Sequence, residues 1–114
     1  YLLSLLSGNV TSNLHGAAYQ ALHTYLDGLN RALSPDRTYL VGDTLSIADI
    51  CVVAELALFL RERDYEKVLS EADLERITGP VLYESYPLIT DHFRKLCEHE
   101  AFAPDVNSYV KKYW

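Results

Sequence analysis

Methionine is missing from all 114 residues, and with it the ordinary translation start, so Tyr1 is expected to lie inside a longer chain. Cysteine is nearly missing. Cys51 and Cys97 share no framework spacing and form no Cys-x-x-Cys pair, which excludes a disulfide-stapled scaffold and points to reduced thiols in a cytoplasmic setting. Proline and glycine number only 4 and 5, too few for a low-complexity or linker-like chain. Basic residues are outnumbered 10 to 16, and the net charge of −6 opposes phosphate backbones and anionic membranes. Neither a direct nucleic-acid partner nor a membrane is expected. No apolar run reaches the roughly 20 residues that cross a bilayer, no targeting segment is legible, and no alternating run is long enough for a strand. What is present is 49% hydrophobic and 23% charged, the composition of one folded domain.

The most informative stretch is Thr38 to Leu60, TYLVGDTLSIADICVVAELALFL. Gly42 and Asp43 favour a tight bend. Ser46 and Asp49 then stand three apart as a capping box, and Leu45 before the cap faces Ile50 at the fourth helical position as a hydrophobic staple. From Ile47 to Leu60 only Asp49 and Glu55 are charged. An apolar helix with almost no polar face is expected to run through the centre of a bundle, covered all round.

The rest of the chain supplies the surrounding helices. YLLSLL closing at Ser7-Gly8 reads as the last turns of a helix. Past the cap residues of Asn9 to Asn13, a stripe of Leu14, Ala18, Leu22, Tyr25, Leu29 and Leu33, with Ala21 and Leu26 beside it, marks a long helix stopped by Ser34-Pro35-Asp36. Gly28 inside it costs about 1 kcal/mol against alanine, which suits a close neighbour or a tolerated loss. Arg61 to Lys67, RERDYEK, is expected as a solvated helix end with local ion pairs. Leu69, Ser70, Asp73 and Leu74 repeat the staple and capping-box pattern, predicting a short helix from Ser70 to Thr78 that Gly79-Pro80 stops. Tyr86-Pro87 opens a helix with Ile89, Phe93 and Leu96 inside, Pro104 breaks the chain, and Val106, Tyr109, Val110 and Tyr113 recur at helical spacing. About five or six helices are predicted.

Thr38 to Val53 resembles the helix-start motif of the C-terminal helical domain of the glutathione transferase superfamily. Tyr86-Pro87, Phe93 and Glu98-His99-Glu100-Ala101-Phe102 resemble a later element of that domain, with Glu100 where proline is common. The resemblance implies an all-α fold, a transferase-type helical bundle around one central buried helix, with residues 1–114 as a single domain whose thioredoxin-like N-terminal half lies elsewhere in the chain. The form YLVG…SIADICVV is similar to the elongation factor 1B gamma subunit and to transferase-like domains attached to aminoacyl-tRNA synthetases, which implies a protein-docking role in translation elongation. The ending Val110-Lys111-Lys112-Tyr113-Trp114 resembles some insect-type enzymes, implying the alternative: the hydrophobic co-substrate half of a glutathione-conjugating transferase. In either case this stretch alone is not catalytic, glutathione belonging, if anywhere, to the full-length protein. Partners implied are the thioredoxin-like domain of the same chain and further proteins or a homodimer.

Site candidates are few. Gly42, Leu45, Ser46, Asp49 and Ile50 are read as a structural helix start, and no catalytic constellation is present. Glu55 on an apolar helix is expected to meet a cation or the bundle rim, because an unpartnered buried carboxylate is costly. His15, His23, His92 and His99 lack the i,i+4 spacing of a helical metal site, and Cys97-x-His99 is a weak ligand signal. Cys51 reads as a small core residue and Cys97 as the more accessible thiol. Tyr1, Tyr109, Tyr113 and Trp114 are aromatics for a ligand cleft, an interface or simply a core edge.

Overall fold

The computed structural model describes residues 1–33 and 36–114, and every regular element among them is helical. In chain order these are α1 (Leu2–Leu6), α2 (Ser12–Ala32), α3 (Ile47–Leu60), a 3-10 turn (Arg61–Tyr65), α4 (Glu66–Glu71), α5 (Pro80–Ser85), α6 (Pro87–Glu98), a π-helical turn (Ala103–Asn107) and α7 (Ser108–Tyr113). The expected all-α fold is present. α1 ends as predicted: Gly8 sits at φ 69, while Asn9 N–H donates to Ser4 C=O and Gly8 N–H to Leu5 C=O, the Schellman pattern. α2 starts at Thr11, whose hydroxyl accepts from Leu14 N–H at 3.3 Å. Its stop is only partly visible, since Ser34-Pro35 lie outside the described residues; Leu33 is already extended.

Two cores meet along α3. One gathers Leu22 and Leu26 of α2, Leu40, Val52, Leu82 and Ile89; the other gathers Val53, Ala57, Leu60, Phe93, Leu96 and Tyr113. α3 and α6 feed both. α6 begins at Tyr86-Pro87 as expected, but its cap comes from a distance: the side-chain carbonyl of Asn30 on α2 accepts from Leu88 N–H at 2.9 Å and Ile89 N–H at 3.2 Å. A helix start otherwise short of acceptors is thereby satisfied and tied to α2.

Three local expectations are corrected. No helix runs from Ser70 to Thr78. Instead Leu74 N–H donates to Leu69 C=O and Asp73 N–H to Ser70 C=O, with Asp73 at φ 56, so these residues end α4 in a second Schellman motif. The same leucines flank a helix stop as readily as a start, and the sequence pattern does not distinguish them. Gly79-Pro80 likewise opens α5, with Gly79 as cap and Pro80 in the first turn. Pro104 lies within the π-helical turn rather than ending the helical run.

Asp73 is the one non-glycine residue at positive φ among those described, where aspartate is tolerated but glycine fits better. Asp73→Gly should raise unfolding stability by up to about 1 kcal/mol and Asp73→Val should lower it; urea titrations that rank the three proteins otherwise would contradict the stop assigned here.

Candidate functional site

α3 is fixed in space by two carboxylates closed to solvent, Asp49 in its first turn and Glu62 just past its end. The capping box forms, and its short bonds converge on the acid: Ser46 N–H and Ser46 Oγ–H donate to Asp49 Oδ2 at 2.9 and 2.8 Å. Asp49 Oδ1 takes Leu40 N–H at 3.1 Å and His92 Nε2 at 2.9 Å, so one side chain joins the preceding bend, the helix start and α6. Burial opposes ionisation, but the amides of Leu40 and Ser46, the serine hydroxyl and the imidazole outweigh it and hold the carboxyl below its ordinary range. Leu45 packs on the second core, whereas Ile50, its staple partner in sequence, is 49% exposed.

Glu62 overturns the reading of RERDYEK as wholly solvated. Its carboxylate accepts from the Tyr1 hydroxyl, from Ile77 N–H at 2.9 Å, and from Thr78 N–H and Thr78 Oγ1–H at 2.8 Å each. Burial first, then the Glu62 hydrogen bond, raises the Tyr1 phenol well above the usual range. The neighbouring charges do behave as expected: Arg61 meets Asp64 at 3.8 Å and Arg76 meets Glu66 at 3.0 Å. Nothing in the alternating pattern marks Glu62. Its register gives no signal either, since it falls four residues beyond Leu58, which is itself exposed.

Between these anchors one side of α3 is open. Ile47, Ile50, Cys51, Ala54, Glu55 and Leu58 share a helical face, and Ile47, Ile50 and Leu58 are 77%, 49% and 52% exposed. The expectation that this helix is covered all round is therefore corrected: the described elements pack on one side only. Glu55 lies on the open rim and receives the Tyr25 hydroxyl of α2; burial and the adjacent carboxylate push that phenol up. One turn along α2, a Cβ on Gly28 would meet nothing within 4 Å. Among the described residues no packing requires that glycine.

The remaining candidates are spent internally. Tyr1 stacks on Phe59. Tyr109 lies 4.8 Å from Tyr113, whose hydroxyl donates to Asp64 at 2.8 Å. Trp114 stacks on Tyr83 and Phe93 at 4.5 and 5.2 Å, with the Arg94 guanidinium 4.8 Å from its ring. It borders an apolar cavity of about 20 Å³ with Leu26, Leu56 and Leu82, room for little more than one water-sized guest. The cysteine assignment is reversed. Cys51 is exposed on the open face and Cys97 is buried, its thiol pushed up to about 11 by burial and then by Glu98. Among the described residues no three His, Cys, Asp or Glu side chains are grouped to hold a metal, and no helix is long and apolar enough to cross a membrane.

The family described as glutathione S-transferase, C-terminal domain, matches residues 13–100, from the start of α2 to the end of α6. The chain belongs to this family. No curated protein and no solved structure matches it. The glutathione S-transferase match takes in the helix start at Gly42 to Ile50, both buried carboxylates and the open face of α3, and it leaves Tyr1, Tyr109, Tyr113 and Trp114 outside.

Two outcomes test how this transferase-type domain holds α3. Because Asp49 has a lowered folded pKa, the unfolded state binds more protons in the window between the folded and unfolded pKa values, so stability should fall as pH drops below about 4; Asp49→Asn should flatten that acid limb in urea midpoints measured against pH. Glu62→Leu should cost about 3–5 kcal/mol, the scale for stranding buried donors, whereas Glu66→Leu should stay within about 0.5 kcal/mol, as read from paired urea titrations.

Proposed function

We propose that this chain is the helical half of a glutathione transferase-like protein and works as a docking module in a cytoplasmic, translation-linked assembly of the elongation factor 1B gamma or synthetase-associated kind. The observation that carries the docking role is the open face of α3: Ile47, Ile50 and Leu58 stay about half or more exposed on the most apolar of the three long helices. An apolar stripe left bare is a surface for a neighbour, and the first neighbour is the thioredoxin-like domain that transferase helical domains accompany. Gly28 supports the same reading, since a glycine with empty space above it allows a partner's backbone to come close. The motif form YLVG…SIADICVV supports the translation-linked setting. The apolar cavity beneath Trp114, at about 20 Å³, offers little to the competing reading of a co-substrate pocket.

Affinity capture with the full-length protein should recover elongation-factor or synthetase components, and their absence would remove the translation-linked part. Turnover of glutathione with an electrophile by the full-length protein would favour the conjugating alternative. Gly28→Ala should stabilise residues 1–114 by about 1 kcal/mol, the helix-propensity gain, and the gain should vanish or reverse in the full-length chain, where the added methyl meets the partner. Equal gains in thermal unfolding of both would show that nothing approaches Gly28.

A further inference from the structure

The three carboxylates borne by α3 and its end are partnered unequally. Asp49 takes four donors, from Leu40, Ser46 twice and His92, and Glu62 also takes four, from Tyr1, Ile77 and Thr78 twice. Those are the two that water does not reach. Glu55 is exposed, and among the described residues its one donor is the Tyr25 hydroxyl. Solvent supplies the rest while the face is open. Covering the stripe removes that water, and a carboxylate with one donor in an apolar contact is strongly unfavourable unless the covering surface replaces what was lost.

We propose that the surface seated on α3 carries a basic side chain, an arginine by preference, opposite Glu55 and within an otherwise apolar patch that meets Ile47, Ile50, Cys51, Ala54 and Leu58. Arginine suits the position because its planar fork fills both carboxylate oxygens and tolerates burial better than lysine. The chain's net charge of −6 favours a basic partner in the same sense. The occupant is the thioredoxin-like domain of the same chain, so this inference rests on the docking reading above and specifies its chemistry.

Cys51 sits on the stripe and is exposed, so its alkylation rate reports whether the face is covered. In the full-length protein, maleimide labelling of Cys51, read by peptide mass, should be at least about tenfold slower than in a Leu58→Asp variant. Glu55→Gln and Glu55→Leu should each lose about tenfold or more of that protection, when each rate is referred to the same substitution in the Leu58→Asp background to cancel Glu55's direct effect on the thiol. Added salt should weaken protection in the parent protein and not in these variants. If Glu55→Leu increases protection, no cation faces Glu55 and the inference falls while the docking reading stands. If Cys51 labels as fast in the parent as in Leu58→Asp, the face is open and both fall. Protection that grows with protein concentration would identify a second copy as the occupant and overturn the assignment.

Discussion

Two carboxylates that never meet water hold α3 at either end, and the rest of the domain is arranged to supply their donors. A buried acid is tolerated only when its lone pairs are filled. That requirement reaches far along the chain: Asp49 draws in the bend at Leu40 and α6 through His92, while Glu62 draws in α1 through Tyr1 and the segment before α5 through Ile77 and Thr78. Hydrophobic contact is non-directional and by itself would let α3 slide or turn. The hydrogen bonds set its register.

With its register fixed, α3 has one side to give to packing and one to leave. Val52, Val53, Ala57 and Leu60 go inward, which by helical geometry turns Ile47, Ile50, Ala54 and Leu58 outward. The bare apolar stripe is thus a consequence of the two anchors, and the exposed acid in its midst, Glu55, is the one α3 carboxylate that the domain does not itself complete. Stability and the proposed docking meet on the same helix: the acids at its ends hold the fold, and the acid on its open face is the group that the proposed partner has to satisfy.

Sequence patterns were most legible where one local arrangement satisfies them. Ser46 and Asp49 preceded by Gly42 admit one reading, and the structure has it. Leu69, Ser70, Asp73 and Leu74 admit two, because a Schellman stop places apolar residues at nearly the same spacing as a staple, and the structure chose the stop. The acids show the same limit. Glu55 on an apolar helix was expected to meet a cation or the bundle rim and the fold alone places it on the rim, whereas Glu62 in a run of charges looked solvated and is enclosed. Periodicity reports which face a residue shares, not whether another element arrives to cover that face.

The sequence by itself determined the all-α class, the boundaries of α3, the start of α6 and the family, because capping chemistry and apolar spacing act over a few residues and need no partner. Only the tertiary structure decided that Glu62 is enclosed, that Asn30 caps α6 from 58 positions away, that Cys51 is open and Cys97 closed, and that α3 keeps one face bare. Each of these depends on what the chain brings back from a distance, and burial is a property of that return rather than of the residue.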